Sequence, residues 1–166
     1  SLLSGLRREI EDLKTRETRR IAQAQAIVVK DEDAARRLDA LLSIPGIGPI
    51  TALTLLALFR KYPNVNRQQL VALSGLDPIQ VQSGTSVHGK SRISKRGNRE
   101  VRKRLYEATL SAARYNPNIQ AIYRRLKDQG KPEKVVRTAA ARKLLLLAHA
   151  IYESGESFRA PAEEVT

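Results

Sequence analysis

One stretch, Asp77 to Ser94, interrupts a chain whose apolar residues otherwise recur at helical spacing, which limits the fold to a helical body with one non-helical insertion. Within it Ile79, Val81, Val87 and Ile93 alternate with polar residues and glycines, a period of two that suits an irregular β-hairpin or an extended loop. The flanks carry helix start and stop signals. Arg67 to Ser74 follows Asn66, whose side chain can cap the first free N–H groups, and is closed by Gly75. Three further helices are expected: Asn98 to Tyr115, broken by Asn116-Pro117; Asn118 to Gln129, stopped by Gly130; and Pro132 to Glu153, ending before Gly155.

The N-terminal region has a different texture. Leu3, Leu6, Ile10 and Leu13 repeat at the alternating three-and-four spacing of a seam, with charged residues filling most positions between them. That spacing fails at Glu17, and Ala22, Ala24, Ala26, Ile27 and Val28 suggest closer packing or a bend before a second helical stretch, Asp33 to Leu42. Residues 1–42 therefore read as a helical arm, either packed on its own domain or pairing as a coiled coil with another copy. Residues 43–155 read as a compact helical bundle, and 156–166 as a frayed tail. The expected fold is mainly α.

Charge separates the same two regions. Thirty Lys and Arg against seventeen Asp and Glu give a net charge of +13, and a pI near 10.5 points to polyanionic partners. Residues 1–43 hold nine basic and eight acidic side chains, whereas 44–166 hold twenty-one against nine, so the excess belongs to the bundle. The absence of cysteine excludes disulfides, thiolate metal sites and cysteine nucleophiles. The longest unbroken apolar runs, Leu55 to Phe59 and Leu144 to Ala148, fall far short of the roughly 20 residues a bilayer span requires, so a soluble, cytoplasmic, nucleoid-associated protein is expected. With no methionine and an opening inside a helical pattern, the chain reads as a piece of a longer protein.

Two segments point to nucleic acid. Residues 43–59 read SIPGIGPITALTLLALF, two helices joined by Pro45-Gly46-Ile47-Gly48 with Pro49 opening the second. This resembles the helix-hairpin-helix motif, in which Gly46 and Gly48 would let backbone amides approach a phosphate without reading bases; a plain glycine turn between packed helices is the alternative. From Lys90 to Arg104, eight of fifteen positions are Lys or Arg against one acid, Glu100. Arg92, Lys95, Arg96 and Arg99 are the best candidates for phosphate contacts, followed by Lys90 and Arg102, and such contacts weaken steeply with salt. Val101, Leu105, Ala108 and Ala112 form an inward stripe on the following helix, leaving Arg99, Arg102 and Lys103 largely off it.

Taken in order, SIPGIGPITA, QLVALSGLDP, QSGTSVHGKSRISKRGNREVRKRLYEA and NPNIQAIYRRLKDQGKPEKVV resemble the C-terminal transposase domain of the IS-one-ten family of insertion-sequence transposases, which includes bridge-RNA-guided recombinases and relatives of the Piv DNA invertase. The resemblance covers about Leu41 to Tyr152, with residues 1–40 matching a coiled-coil connector. It implies an active site in two parts. An N-terminal RuvC-like half supplies a magnesium-binding carboxylate cluster, and the C-terminal half supplies a serine that links covalently to DNA. The motif places that serine at Ser83, in the 77–97 loop. Gly84 beside it leaves room for a phosphodiester, and nearby cations could stabilise the transition state. The residues alone do not single Ser83 out, because Ser74, Ser86, Ser91 and Ser94 share the segment. His88 is a possible but unsupported base, and His149 reads as a core histidine.

Between Ile44 and Ala150 the carboxylates are Asp77, Glu100, Glu107, Asp128 and Glu133, with no spacing that suggests a metal pair. No metal site is expected in this chain, and the chain alone is expected to bind nucleic acid without cleaving it. DNA is the expected partner, with guide RNA and a homodimer or higher oligomer as further expectations. The competing reading is a non-enzymatic module for nucleic-acid binding and dimerisation.

Overall fold

The computed structural model describes residues 1–79, 82–83, 87–88 and 92–161, with 82–83 and 87–88 described by their backbone pairing. The fold is mainly α. Among the described residues seven helices surround one core: α1 (Leu2–Val28), α2 (Glu32–Leu42), α3 (Pro49–Lys61), α4 (Arg67–Ser74), α5 (Arg99–Tyr115), α6 (Pro117–Asp128) and α7 (Glu133–Ser154). Four two-residue strands lie between α4 and α5: β1 (Pro78–Ile79), β2 (Gln82–Ser83), β3 (Val87–His88) and β4 (Arg92–Ile93).

Helix α7 is the central element, packing against α2, α3, α4, α5 and α6. It buries Val136, Ala140, Ala141, Leu144, Leu145, Ala148 and Tyr152, and its alanines let neighbouring helices approach closely. Each fully buried leucine contributes about 2 kcal/mol from burial alone. Helix α5 supplies the expected stripe of Val101, Leu105, Ala108 and Ala112, all buried. Local signals end the helices as the sequence suggests. Asn66 and Gln69 close a reciprocal capping box on α4, and Asn98 accepts from the Glu100 and Val101 amides to start α5.

The N-terminal region departs from its spacing. Helix α1 runs unbroken through Glu17 to Val28, and the turn falls after it, where Asp31 caps α2 by accepting from the Ala34 amide. Helix-favouring Ala, Gln and Arg carry α1 through the interval where the seam lapses. Leu3, Leu6, Ile10 and Leu13 are all exposed. Helix α2 instead buries Ala34, Leu38, Ala40 and Leu41 and packs on α3 and α7. A salt bridge of 2.8 Å from Arg60 to Asp31 holds the α1–α2 corner against the end of α3.

The non-helical insertion is a nested antiparallel hairpin. The outer ladder pairs Pro78 with Ile93 and Ile79 with Arg92; the inner pairs Gln82 with His88 and Ser83 with Val87. Two residues separate the ladders on the outgoing strand and three on the return, so the return strand carries one more residue than its partner.

Candidate nucleic-acid interface

The hairpin is rooted on the C-terminal end of α4. Ser94 donates its amide to the Asp77 carbonyl at 2.8 Å and its hydroxyl to the Asp77 carboxylate, closing the base of the outer ladder. Lys95 then adopts a left-handed conformation, φ 56°, while its amide bonds the Gly75 carbonyl at 3.2 Å. A non-glycine residue there carries a strain on the order of 1 kcal/mol, which the surrounding bonds offset. Gly97 passes so close to the end of α4 that a Cβ would collide with the Leu73 carbonyl oxygen, and the Asn98 amide donates to that oxygen at 2.6 Å. From the other side Arg142 of α7 donates to the Leu76 carbonyl through Nε and one terminal nitrogen.

This anchoring sorts the basic residues. Arg92, Lys95, Arg96 and Arg99 are exposed, and among the described residues none of them forms an ion pair. Arg102 is differently placed: its guanidinium is half-buried and donates to the Ser74 carbonyl at 3.1 Å and the Gly97 carbonyl at 3.4 Å. Arg104 is paired with Glu100 at 2.7 Å and Glu107 at 3.4 Å. Among the described residues of the Lys90–Arg104 segment, the charge available to a ligand therefore lies on the hairpin base and the first turn of α5.

Among the serines, Ser74 is set apart by the fold. It is fully buried, with its hydroxyl donating to the Val71 carbonyl, so it does not share the exposed environment expected for the segment. Ser94 is committed to Asp77 at the hairpin base. Ser83 lies in the inner ladder opposite Val87, beyond the basic root. The Ser83 and His88 side chains, Gly84, Lys90, Ser86 and Ser91 lie outside the described residues.

The glycine turn lies elsewhere. Gly46 packs against Ala112, and Asn116 donates its side-chain amide to the Pro45 carbonyl at 3.2 Å, seating the turn near the C-terminal end of α5. Arg99 opens the same helix, so at 1.5 Å per residue the turn and the basic root are separated by about 20 Å along it. Gly48 is exposed, with open space around it, and caps α3 without a side-chain hydrogen bond. The structure thus places the two nucleic-acid signals of the sequence at opposite ends of α5.

Two features had no sequence signal. Arg137 stacks 3.8 Å over the Tyr106 ring and donates to the Tyr106 carbonyl at 2.7 Å, tying α7 to α5. Arg142 braces the hairpin root, and nothing in its local sequence distinguishes it from a solvent-facing arginine. Expected as a hydrogen-bonded core histidine, His149 is only partly buried, and its side chain makes no hydrogen bond among the described residues. It packs edge-on against Phe59 at 5.0 Å, and burial lowers its pKa despite the nearby Glu153 carboxylate. The described residues contain no cluster of metal-ligating side chains. Asp77, Glu100, Glu107 and Glu133 are each bonded to a neighbouring side chain.

An α-helical body presenting a rooted cationic hairpin defines a class of domain suited to polyanions. The chain belongs to the IS116/IS110/IS902 transposase family, whose model matches residues 38–124. It is 33% identical over 125 residues to the pilin gene-inverting protein of Moraxella lacunata, covering 74% of this chain and 38% of that protein. The protein of the same name from Moraxella bovis matches at the same identity and coverage. An uncharacterized 43.6 kDa protein of insertion element IS110 from Streptomyces coelicolor is 28% identical over 127 residues, covering 74% of this chain and 31% of that protein. The chain spans less than two-fifths of the length of these curated relatives. Among the described residues no helix is long and apolar enough to cross a membrane.

Proposed function

We propose that this chain is the serine-bearing C-terminal part of a DNA recombinase, in which the hairpin delivers Ser83 to a phosphodiester. The observation that carries the reading is the sorting of charge. Arg92, Lys95, Arg96 and Arg99 stay exposed at the root of the hairpin bearing Ser83 and form no ion pair among the described residues, while neighbouring arginines are bonded into the fold. Cations at that root would hold the flanking phosphates and offset charge developing at phosphorus.

In the reaction, Ser83 Oγ attacks phosphorus, an Oγ–P bond forms and one P–O bond to a sugar breaks. The Ser83 proton passes to a base, and a sugar hydroxyl leaves. Attack by a hydroxyl from a second DNA end then breaks the Oγ–P bond and restores serine, so the number of phosphodiesters is unchanged. No step is assigned to a metal in this chain, because its described carboxylates form no cluster that could share an ion. Magnesium would belong to a RuvC-like half, and without it this chain binds DNA but does not cut.

Three further parts complete the proposal. The Gly46–Gly48 turn acts as a helix-hairpin-helix contact to a second phosphate stretch through the exposed start of α3. The exposed seam of α1 pairs with another copy as a coiled coil. Guide RNA, where the whole protein uses one, directs target choice.

The test is to trap the full-length protein on a nicked suicide DNA substrate, measure intact mass and map the linked peptide. A DNA adduct at Ser83, lost in Ser83→Ala with binding retained, is expected. Confirmed cleavage with no adduct, or an adduct at another residue, would overturn the assignment.

A further inference from the structure

A second basic surface faces the hairpin root from α7. A groove of about 550 Å³ lies between β1, β4 and the N-terminal half of α7. Its cationic side is made by Arg92, Lys95, Lys134 and Arg142, and no acidic residue lines it among the described residues. Its floor is apolar, with Ile93 and the half-exposed Val135 on opposite walls. Arg142 is engaged with the Leu76 carbonyl and braces the groove, whereas Arg92, Lys95 and Lys134 form no ion pair among the described residues. The α7 wall lies beyond residues 38–124, the span of the family match, and although Lys134 and Val135 fall within a stretch that carries the family resemblance, the sequence singles out neither as a binding residue.

We infer that this groove binds an unpaired stretch of single-stranded DNA leaving the hairpin, with phosphates on Arg92, Lys95 and Lys134 and a base against Ile93 and Val135. The inference rests on the reading that the hairpin handles DNA. Charge complementarity selects a polyanion, and the apolar floor selects among polyanions. A duplex would offer its backbone to the cations and leave the floor uncovered, whereas an unpaired strand can present phosphate and base together. The groove's volume falls within the usual range of ligand sites. The reading of the hairpin as a DNA element selects deoxyribose. Thr138, the one uncharged side-chain hydrogen-bonding group among the described lining residues, donates its hydroxyl to the Lys134 carbonyl at 2.8 Å and keeps only acceptor capacity for a sugar.

The experiment is a salt titration of the full chain by fluorescence anisotropy, on single-stranded DNA, duplex DNA and RNA of one sequence, comparing wild type, Lys134→Gln, Val135→Ser and Arg96→Gln. Lys134 and Val135 are both exposed, so their variants keep the fold, which circular dichroism melting checks. On single-stranded DNA, Lys134→Gln is expected to lower the slope of log affinity against log salt by about 0.7. Val135→Ser is expected to weaken single-strand binding about threefold and leave duplex binding unchanged. The groove assignment is overturned if both variants bind single strands like wild type while Arg96→Gln weakens them, and the hairpin reading then survives. Equal weakening on duplex, or preferred binding of RNA with the same dependence on Lys134, also overturns it. If Arg96→Gln has no effect either, the hairpin reading fails as well.

Discussion

Gly46 sits on the backbone of Ala112, so that a Cβ at position 46 would lie 2.5 Å from the Ala112 Cβ and 2.6 Å from its Cα. Its φ of +99° is also one that side chains other than glycine rarely adopt. Gly46→Ala therefore meets both steric overlap and backbone strain, and should cost about 3 kcal/mol in urea unfolding. Gly48, with φ −91° and open space around it, should tolerate alanine with little loss. Equal losses at the two positions would contradict this division between a packing glycine and an open one.

The same division runs through the arginines. Arg102→Gln removes a half-buried guanidinium from the Ser74 and Gly97 carbonyls and should lower stability by about 1–3 kcal/mol. Arg96→Gln and Arg99→Gln should leave the melting temperature unchanged and reduce the salt dependence of DNA binding by roughly one phosphate contact each. Paired measurements of melting and anisotropy check both. A destabilised Arg99→Gln or a fully stable Arg102→Gln would show that the charges had been sorted wrongly.

Truncation should be tolerated up to the α1–α2 corner and not beyond it. Removing residues 1–28 takes away the helix with the exposed seam, and should give a folded monomer if that seam pairs two copies. Removing residues 1–42 also strips Leu38 and Leu41, which are 4% and 0% exposed, from the core. Each such loss costs about 2–5 kcal/mol, so this variant should not fold. Light scattering reports mass and circular dichroism reports folding. A dimer that persists without residues 1–28 would rule out the seam as its interface.

His149 sets a pH dependence of stability. Burial against Phe59 lowers its folded pKa below the ordinary value of 6.5, so the unfolded chain takes up the proton first. Stability should be unaffected by this group well above 6.5, fall as pH drops through 6.5, and level off below the lowered folded value. Denaturation midpoints for wild type and His149→Gln across pH 5 to 8 check this. A wild-type curve with the same slope as the variant would exclude His149 as its source.

The N-terminal seam shows the limit of reading spacing alone. The apolar spacing lapses at Glu17, yet helix continuity depends on backbone propensity, and alanine, glutamine and arginine sustain α1 to Val28, with the break falling just before the second helical stretch. Conversely, Asp33 to Leu42 reads like a continuation of the arm. Its leucines are drawn into the core by α3 and α7, which lie far along the chain.

What the sequence by itself determined about this protein was local: helices and their caps at Asn66 and Asn98, the hairpin between Asp77 and Ser94, and a basic segment with an excess of charge. These follow from backbone preference, apolar period and composition, each carried by neighbours in the chain. Only the tertiary structure decided which cations remain available and where they face. Arg102 and Arg99 look alike in sequence, and they differ because the end of α4 presents carbonyls to one of them. Lys134 joins Arg92 and Lys95 because α7 packs beside the hairpin root, a long-range contact that no local pattern encodes.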